Sequence, residues 1–297
     1  MKIYRIYTKL VRLFQYHHVD EPHYSAINIL QKSLNIPYSQ VDTNQTMFSS
    51  CFSHYYLNQI QRMYFKRRAM MPIQYVIGEW EFRDVKLKMK PPVLIPRNET
   101  SYLVELVNKL SKQKQKCQFL EIGIGTGAIS LSLLKENNQF TGVAIDKQPF
   151  CIKLARQNLN LNKIDSQRLQ LIHIECLQFF QNIVNQNPTQ QFDFMVSNPP
   201  YIPTNMVNNL DKQVRKFEDK VALDGGSDGL DIVKQILDYG YQVLKEEGFL
   251  ALEVDVTHNT LLEQYFENNT YGWKDKYKKA QFFKDQYERD RFCVFFK

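Results

Sequence analysis

Two short motifs combine residue types that could bind one small molecule and hold a second one beside it. The first is Glu121-Ile122-Gly123-Ile124-Gly125-Thr126-Gly127, in which an acidic residue precedes three alternating glycines. Glycines permit a tight turn and a close approach of the backbone to a ligand. The second is Asn198-Pro199-Pro200-Tyr201, which follows the apolar run Phe192 to Val196. Because prolines fix the backbone and lack an N–H donor, this motif is a rigid loop rich in acceptors.

Asp146 lies nineteen residues after Gly127, at the end of the next predicted strand. A carboxylate at this place can accept hydrogen bonds from both hydroxyls of a ribose. The GxGxG spacing differs from the GxGxxG of dinucleotide-binding loops. We therefore expect Gly123, Ile124, Gly125, Thr126, Gly127 and Asp146 to bind a ribose-containing cofactor. The alternative is that Gly127 only relieves packing and that Asp146 caps a helix.

Asn198 and its neighbours could bind a second molecule beside the cofactor. The Asn198 carboxamide oxygen and the Pro199 carbonyl could accept both N–H bonds of a planar NH2 group. Such a nitrogen is a weak nucleophile, so it needs alignment with a strong methyl donor such as S-adenosyl-L-methionine. Tyr201 can lie over a flat substrate group. We expect Asn198, Pro199 and Tyr201 to act in catalysis, Pro200 to complete the substrate pocket, and Asn198 also to contact the cofactor. The alternative is a proline-rich turn that only closes a strand.

Apolar strands alternate with helical segments from Cys117 onward. Strands are predicted at 119–120, 142–145, 169–174, 192–196, 249–254 and 292–296, with helices near 128–134 and 150–159. This alternation predicts an α/β fold with a mostly parallel sheet covered on both faces. The carboxyl ends of such strands gather ligands, which would bring the two motifs together.

The N-terminal part of the chain has a different pattern. Apolar residues recur at helical spacing up to about Met71, and residues 75 to 95 change to the period-two alternation of a hairpin-like connector. The sequence therefore predicts a helical substrate-recognition domain at 1–72, a β-hairpin connector at 73–96 and a catalytic domain at 97–297.

Composition and charge restrict the partners. The net charge is +7, yet basic residues cluster only at 66–68 and 274–279, so RNA or ribosome proximity is weakly indicated and a solvated strand edge is preferred for 274–291. No apolar run reaches the about 20 residues of a membrane span. Five scattered cysteines without a CxxC pair predict free thiols and no metal site. Residues 1 to 19 are basic and free of acidic residues, which fits mitochondrial targeting, or equally a first folded helix in a cytoplasmic protein.

The chain resembles the HemK-type protein-(glutamine-N5) methyltransferases, and more closely their mitochondrial branch. The matching segments are MPIQYVIGEWEF, LIPRNET, LEIGIGTGAISLSLL, AIDKQPFCIKLARQN, VSNPPYIP and ALDGGSDGLDIV. The resemblance implies a class I S-adenosylmethionine-dependent, Rossmann-like fold. It also implies methylation of the glutamine in the Gly-Gly-Gln motif of a class I peptide-chain release factor.

The resemblance also implies roles for individual residues. The segment Gly123 to Gly127 would hold the methionine part of the cofactor, Asp146 the ribose, and Leu177 the adenine face. The chain departs from the family at Asn98, where proline is usual, and at Glu175-Cys176-Leu177, where an acidic residue followed by a bulky one is common. Around Gly225-Gly226, the aspartates indicate a turn and a helix N-cap.

Two other functions stay open at this point. The Asn-Pro-Pro-Tyr motif also occurs in adenine amino-methyltransferases, so a substrate in RNA or DNA is one alternative. The changed Glu175-Cys176-Leu177 segment motivates the other, a non-catalytic subunit of a larger assembly.

Overall fold

Helices and strands alternate through most of the chain. The computed structural model describes residues 3–35, 54–186 and 189–297; Cys51 lies outside the described residues. The helices are α1 (Ile3–Tyr16), α2 (Pro22–Leu34), α3 (His54–Arg68), α4 (Ile73–Ile77), α5 (Thr100–Ser111), α6 (Ala128–Glu136), α7 (Pro149–Leu161), α8 (Cys176–Gln186), α9 (Lys212–Phe217), α10 (Asp231–Val243) and α11 (His258–Glu267). The strands are β1 (Glu79–Phe82), β2 (Val85–Lys88), β3 (Gln118–Ile122), β4 (Thr141–Asp146), β5 (Leu169–His173), β6 (Phe192–Ser197), β7 (Leu244–Glu253), β8 (Lys279–Lys284) and β9 (Asp290–Phe296).

Seven of these strands form one sheet in the order β5-β4-β3-β6-β7-β9-β8. The strands β3 to β7 pair in parallel, and β9 and β8 add two antiparallel strands at one side. All six side chains of β6 are buried, as expected for a central strand with helices on both faces. The predicted α/β class with a mostly parallel sheet is confirmed, and β8 is the strand edge expected near residues 274–291.

Aromatic residues pack in register across the middle of the sheet. The rings of Phe119 and Phe194 stack with centroids 5.5 Å apart, and those of Phe194 and Phe249 stack at 5.3 Å. Gly142 on β4 makes room for the first ring, because a Cβ at this glycine would lie 2.4 Å from Phe119. This packing fixes the register of β3, β6 and β7, which determines what lies at their carboxyl ends.

The described residues divide into two compact units. The first contains those up to Trp80 together with Met89–Pro91 and Asp211–Phe217, and the second contains the remaining ones. In the first unit, α1 to α4 bury an apolar core that includes Leu10, Phe14 and Ile29. The predicted substrate-recognition role of 1–72 and the predicted domain boundaries stay predictions.

The hairpin is shorter than the period-two pattern indicated. Strands β1 and β2 form a two-stranded sheet within 79–88, whereas residues 73–77 form the helix α4 after Pro72. Gly78 ends this helix with a left-handed φ of 74°, and its N–H donates to the carbonyl of Gln74. A helix of five residues is too short to leave a helical periodicity in the sequence.

No helix in the described part of the chain is both long and apolar enough to cross a membrane. Among the same residues, no group of three or more His, Cys, Asp or Glu side chains is placed to hold a metal ion.

Candidate active site

The candidate site lies at the ends of three adjacent strands of the second unit. The glycine motif follows β3, Asp146 ends β4, and Asn198 follows β6. These strands lie side by side in the order β4-β3-β6 and are parallel, so their carboxyl ends meet at one edge. The Ser197 hydroxyl donates to the Ile122 carbonyl at 2.7 Å and ties the ends of β6 and β3 together.

The glycine motif turns sharply at the end of β3. Gly123, Gly125 and Gly127 have φ values of 77°, 53° and 88°, a region that side-chain-bearing residues rarely occupy. A Cβ at Gly123 would meet no atom within 4 Å, whereas a Cβ at Gly127 would lie 3.1 Å from Leu131. Gly123 therefore leaves open space beside the backbone, while Gly127 allows α6 to pack closely.

Glu121 stabilises this turn from below. Its carboxyl is buried and accepts hydrogen bonds from both the N–H and the hydroxyl of Ser130 on α6, the N–H at 3.0 Å. Burial raises the pKa of Glu121 to about 8 against the lowering effect of Ser130, and the nearby Asp146 raises it further. The acidic residue before the glycines therefore fixes the start of α6 and does not itself line the cavity.

Asp146 lies between the glycine motif and α7. One carboxylate oxygen accepts the N–H of Gly125 at 3.0 Å, and the other accepts the N–H of Gln148 at 2.8 Å. Desolvation raises the pKa of Asp146, and these two backbone donors oppose that rise. The Cys151 thiol also bonds to this carboxylate, and because a carboxylate has about four acceptor positions, capacity for a ligand hydroxyl remains. Asp146 therefore bonds to the residue that precedes α7 and not to the N–H groups of the helix itself, and it keeps a capacity for binding.

The Asn-Pro-Pro-Tyr loop is supported by a second glycine-rich loop that follows it in the chain. The N–H of Gly225 donates to the Ile202 carbonyl at 2.8 Å. A Cβ at Gly225 would lie 2.7 Å from the Pro200 carbonyl, and a Cβ at Gly229 would lie 2.3 Å from the Tyr201 carbonyl. Only glycine permits this approach, so residues 225–229 hold the backbone of the motif.

Asn198 is oriented by α5. Its amide nitrogen donates to the Thr100 hydroxyl at 3.2 Å, and Thr100 is 3% exposed. Asn198 itself is half-buried and lines the cavity described below. With the nitrogen engaged on the α5 side, the carboxamide oxygen is the atom left for a ligand.

A partly buried ion pair lies beside one wall of the site. The Arg97 guanidinium donates to both carboxylate oxygens of Glu218 at 2.9 Å, and the Ile95 N–H donates to the same carboxylate at 3.1 Å. The N–H of Asp219 donates to the Pro92 carbonyl at 2.7 Å. These contacts join the segments 92–97 and 218–219, both of which contribute to the cavity.

A cavity of about 150 Å³ lies at the joined strand ends. This volume is far above the about 15 Å³ that one water needs, so the cavity is of ligand size. The predicted site residues that line it are Gly123, Gly125, Asp146, Asn198, Pro199 and Pro200. Other lining residues include Val93, Leu94, Lys147, Gln148, Ile174, Glu175, Cys176, Asp219, Ile232 and Gln235.

Five predicted site residues are not part of this lining, which falls wholly within the described residues: Ile124, Thr126, Gly127, Leu177 and Tyr201. The first three belong to the turn itself, and the Thr126 carbonyl accepts from Asn158 at 2.9 Å. Leu177 lies one residue beyond Cys176, which does line the cavity. Tyr201 points towards Arg291, whose guanidinium is 3.5 Å from the phenol oxygen.

The two cysteines that line the cavity are thiols. Burial raises the pKa of Cys176 to about 12, and burial together with Asp146 raises the pKa of Cys151 even more. A thiol with so high a pKa is a poor nucleophile at neutral pH. The cavity therefore offers acceptor oxygens and apolar walls but no covalent nucleophile from these residues.

Comparisons with known proteins show the family of this chain. Residues 100–215 match the family model "Methyltransferase small domain". The "Release factor glutamine methyltransferase" of Aquifex aeolicus is 34% identical over 240 residues, covering 80% of this chain and 80% of that protein. The chain belongs to the release factor glutamine methyltransferase family. The sequence resemblance to the glutamine-N5 methyltransferases is thereby confirmed.

A human relative, "MTRF1L release factor glutamine methyltransferase", is 36% identical over 219 residues, which cover 71% of this chain. The match spans 64% of that protein's length, less than two thirds. Among solved structures, a human methyltransferase 10 domain containing protein has a TM-score of 0.52 at 16% identity, covering 72% of this chain and 89% of that one. An S-adenosylmethionine-dependent methyltransferase from Agrobacterium tumefaciens has a TM-score of 0.50 at 11% identity, covering 74% and 70%. These structures show the methyltransferase fold.

The residues present fit S-adenosyl-L-methionine, the methyl donor of the release factor glutamine methyltransferases. The space beside Gly123 is where a Cβ would otherwise stand, and the Asp146 carboxylate retains acceptor capacity for ribose hydroxyls. Glu175 and Cys176 line the cavity at the end of β5, next to the predicted adenine side. Acceptors, open backbone and apolar walls are what a ribose, an amino-acid chain and an adenine require.

Proposed function

We propose that this chain transfers a methyl group from S-adenosyl-L-methionine to the side-chain amide nitrogen of the glutamine in the Gly-Gly-Gln motif of a class I release factor. One observation carries the proposal: the cavity that contains Gly123, Gly125 and Asp146 also contains Asn198, Pro199 and Pro200. A cofactor site and a pair of amide acceptors in one cavity are what methylation of an NH2 group needs. Family membership supports the choice of glutamine as substrate.

The chain's own residues contribute alignment and acceptor oxygens. Asp146 and the turn at Gly123 to Gly125 would hold the cofactor, which supplies an electrophilic methyl group. The Asn198 carboxamide oxygen and the Pro199 carbonyl would accept the two N–H bonds of the substrate amide. As positive charge develops on that nitrogen, these acceptors bind more strongly, which lowers the barrier.

The remaining predicted roles are part of the same proposal. Tyr201 would bound the glutamine pocket from beyond the cavity lining, with its phenol held near Arg291. Leu177 would cover the adenine from the first turn of α8, beside the lining residue Cys176. The N-terminal domain predicted at 1–72 would recognise the release factor.

The two basic clusters, at residues 66–68 and 274–279, do not favour RNA as the substrate. Arg67 is 3% exposed and bonds to the Ser25 hydroxyl, the Asp20 carbonyl and the Gln213 side chain within its own unit. In the second cluster, Lys274, Lys276 and Lys278 pair with Glu267, Asp238 and Glu247. Side chains already paired are less available to bind phosphates, so a protein substrate is preferred.

Transfer of an isotope-labelled methyl group tests the proposal directly. We expect label on the Gly-Gly-Gln glutamine of a class I release factor, located by peptide mass spectrometry. A release factor with this glutamine changed to alanine is the control and should stay unlabelled. Label on adenine in RNA or DNA, with none on glutamine, would replace the proposal by the amino-methyltransferase alternative. Absence of transfer to any of them would favour the non-catalytic subunit.

We further propose a mitochondrial matrix location, with the organellar release factor as substrate. The support is the basic, acid-free segment 1–19. Residues 3–16 of this segment form α1, in which Phe14 is fully buried and Leu10 is 5% exposed, so cleavage within 3–16 would remove part of the core. We expect targeting without cleavage in this helix. Cell fractionation and the mass of the native N-terminus test both points, and a purely cytosolic pool would overturn the location.

A further inference from the structure

Glu253, the last residue of β7, is a fully buried carboxyl that the cavity does not contact. Its exposure is 0%, and neither carboxylate oxygen has a hydrogen-bond partner among the described residues. A buried carboxyl without partners is strongly unfavourable, so such a group in a native protein requires an explanation.

The sheet places Glu253 beside the catalytic motif. β6 and β7 pair in parallel with Ser197 opposite Leu252. The next residues along these strands are Asn198 and Glu253, which are therefore neighbours at the same end of the sheet. Asn198 lines the cavity, whereas Glu253 does not.

Thr100 lies between the two side chains. Its hydroxyl oxygen accepts the Asn198 amide N–H at 3.2 Å. Helix α5 begins at Thr100 and packs against β7. The Thr100 hydroxyl lowers the pKa of Glu253, although the two groups lie outside regular hydrogen-bond geometry. Since the oxygen already accepts from Asn198, the hydroxyl proton is available for the carboxylate.

Charged groups on the surrounding segments act on Glu253 from several sides. Arg291 on β9 and Arg97 favour the ionised carboxylate, whereas Glu99 opposes it. The phenol of Tyr201 also faces the carboxyl. Arg97 is shared with Glu218, Arg289 is paired with Glu99, and Arg291 lies 3.9 Å from Asp285. Burial outweighs these charges and raises the pKa of Glu253 to about 7.

We propose that Glu253 is a positioning residue that acts through the Thr100 hydroxyl to keep the Asn198 carboxamide oxygen turned towards the cavity. Its consequence for catalysis rests on the proposed methyl transfer to an amide. An ionised Glu253 can only accept, so Thr100 donates to it and must accept from the Asn198 nitrogen. A protonated Glu253 can donate to Thr100, which frees the Thr100 proton for the Asn198 oxygen. The carboxamide then turns over and presents NH2, which cannot accept an N–H from substrate.

The orientation of Asn198 can be observed without any substrate. In ¹H–¹⁵N spectra of the whole chain, the Asn198 side-chain NH2 signals, assigned by their loss in Asn198→Ala, should shift with a midpoint near pH 7. The shift should vanish in both Glu253→Gln and Thr100→Val. The inference is overturned if the signals do not titrate, or if they titrate equally in Glu253→Gln.

Methyl transfer supplies the second measurement. The single-turnover rate should fall as the pH drops through about 7, and Glu253→Gln should lower it about tenfold at pH 8, the value of one ordinary hydrogen bond. Thr100→Val should lose as much, Thr100→Ser should recover most of the rate, and the double variant Thr100→Val/Glu253→Gln should be no slower than Thr100→Val. Additive losses would show that Glu253 acts by another route and overturn the inference.

Glu121→Gln is the matched control, since it changes the other buried glutamate near the cavity. The fall of the rate at acidic pH should keep its midpoint in Glu121→Gln and should disappear in Glu253→Gln. The reverse result overturns the inference. If the wild-type chain methylates no amide while the Asn198 signals titrate as expected, the proposed function fails and the positioning inference stands. If the chain methylates glutamine while the Asn198 signals do not titrate, the proposed function stands and the positioning inference fails.

Discussion

Two glutamates lie fully buried at the carboxyl ends of strands in the same sheet, Glu121 on β3 and Glu253 on β7. Burial is the largest effect on both and raises their pKa values, to about 8 and about 7. Their surroundings differ. Glu121 accepts twice from Ser130, whereas both oxygens of Glu253 lack partners among the described residues.

The difference gives the two glutamates different roles: Glu121 supports the structure, whereas Glu253 responds to pH. The hydrogen bonds between Ser130 and Glu121 fix α6 next to the cofactor turn, so a substitution of Glu121 should lower the free energy of unfolding. Glu253 is held in a site that stabilises neither of its protonation states fully, so a change there should be felt as altered function. Buried polar groups that are fully bonded make a structure rigid, while unsatisfied ones store strain.

The largest effect is expected for Glu121→Ala. It leaves the Ser130 N–H and hydroxyl unpaired in a buried site and opens a small cavity, which together should lower the free energy of unfolding by about 3–5 kcal/mol. Urea unfolding followed by circular dichroism measures this. Glu121→Gln keeps an acceptor oxygen and should lose less than half as much; equal losses in the two variants would contradict the supporting role.

Asn198→Ala should have the next largest effect. It should lower the rate of methyl transfer, whereas Glu121→Ala lowers stability. Loss of one aligned acceptor raises the barrier by about 2–4 kcal/mol, which a single-turnover methyl-transfer assay measures. The free energy of unfolding should change little, because Asn198 is half-buried at the cavity surface. Asn198→Asp retains an acceptor oxygen and should retain partial activity. A near-normal rate in Asn198→Ala would defeat the acceptor mechanism.

Glu253→Gln should change stability with a definite pH dependence. The pKa of Glu253 in the folded chain is raised from 4.5 to about 7. Its contribution is therefore fully present below pH 4.5 and is lost as the pH rises through 7. Glutamine does not ionise, so the variant should gain relative to the wild type by about 1.4 kcal/mol per pH unit, which is about 3 kcal/mol between the two pKa values.

Urea unfolding of both proteins at pH values from 5 to 8 measures that gain. Glu121→Gln provides the comparison, because its amide must still satisfy Ser130 and brings an extra donor into a closed site, so it should show no net gain at pH 7. If Glu253→Gln is less stable than the wild type at pH 8, the carboxylate is well bonded and the contrast between the two glutamates disappears.

The sequence predicted the cofactor half of the site better than its supports. The glycine motif, Asp146 and the Asn-Pro-Pro-Tyr motif are local signals at strand ends, and most of them line the cavity. Thr100 and Asn198 meet across 98 residues of chain, and local spacing does not reveal such a contact. Glu253 had a local signal, a single charge within the apolar run FLALEV, but its meaning depends on the pairing of β7 with β6.

Two other differences have geometric causes. Gly225 was interpreted as a turn residue, whereas the closeness of Gly225 and Gly229 to Pro200 and Tyr201 follows only from the folded loop. Cys176 lines the cavity where Leu177 was expected to cover the adenine. Since α8 begins at Cys176, a helical turn starts within that segment, and a shift of one residue there changes which side chain faces the ligand.

The smallest effect, and the sharpest test of the separation, is expected for Asp146→Ala. Asp146 raises the pKa of Glu121 but is not among the groups that act on Glu253. Losing its acceptor oxygens should weaken S-adenosyl-L-methionine binding about tenfold, near the lower end of the 1.5–3 kcal/mol of a charge-assisted bond. The lower end is expected because both oxygens also accept from backbone N–H groups. Calorimetric titration measures the affinity, with Asp146→Asn as the control that keeps one acceptor.

At saturating cofactor, the fall of the methyl-transfer rate at acidic pH should keep its wild-type midpoint in Asp146→Ala, because that pH dependence belongs to Glu253. A midpoint that moves with Asp146 would assign the pH dependence to Glu121, and the two glutamates would then exchange the roles given to them above.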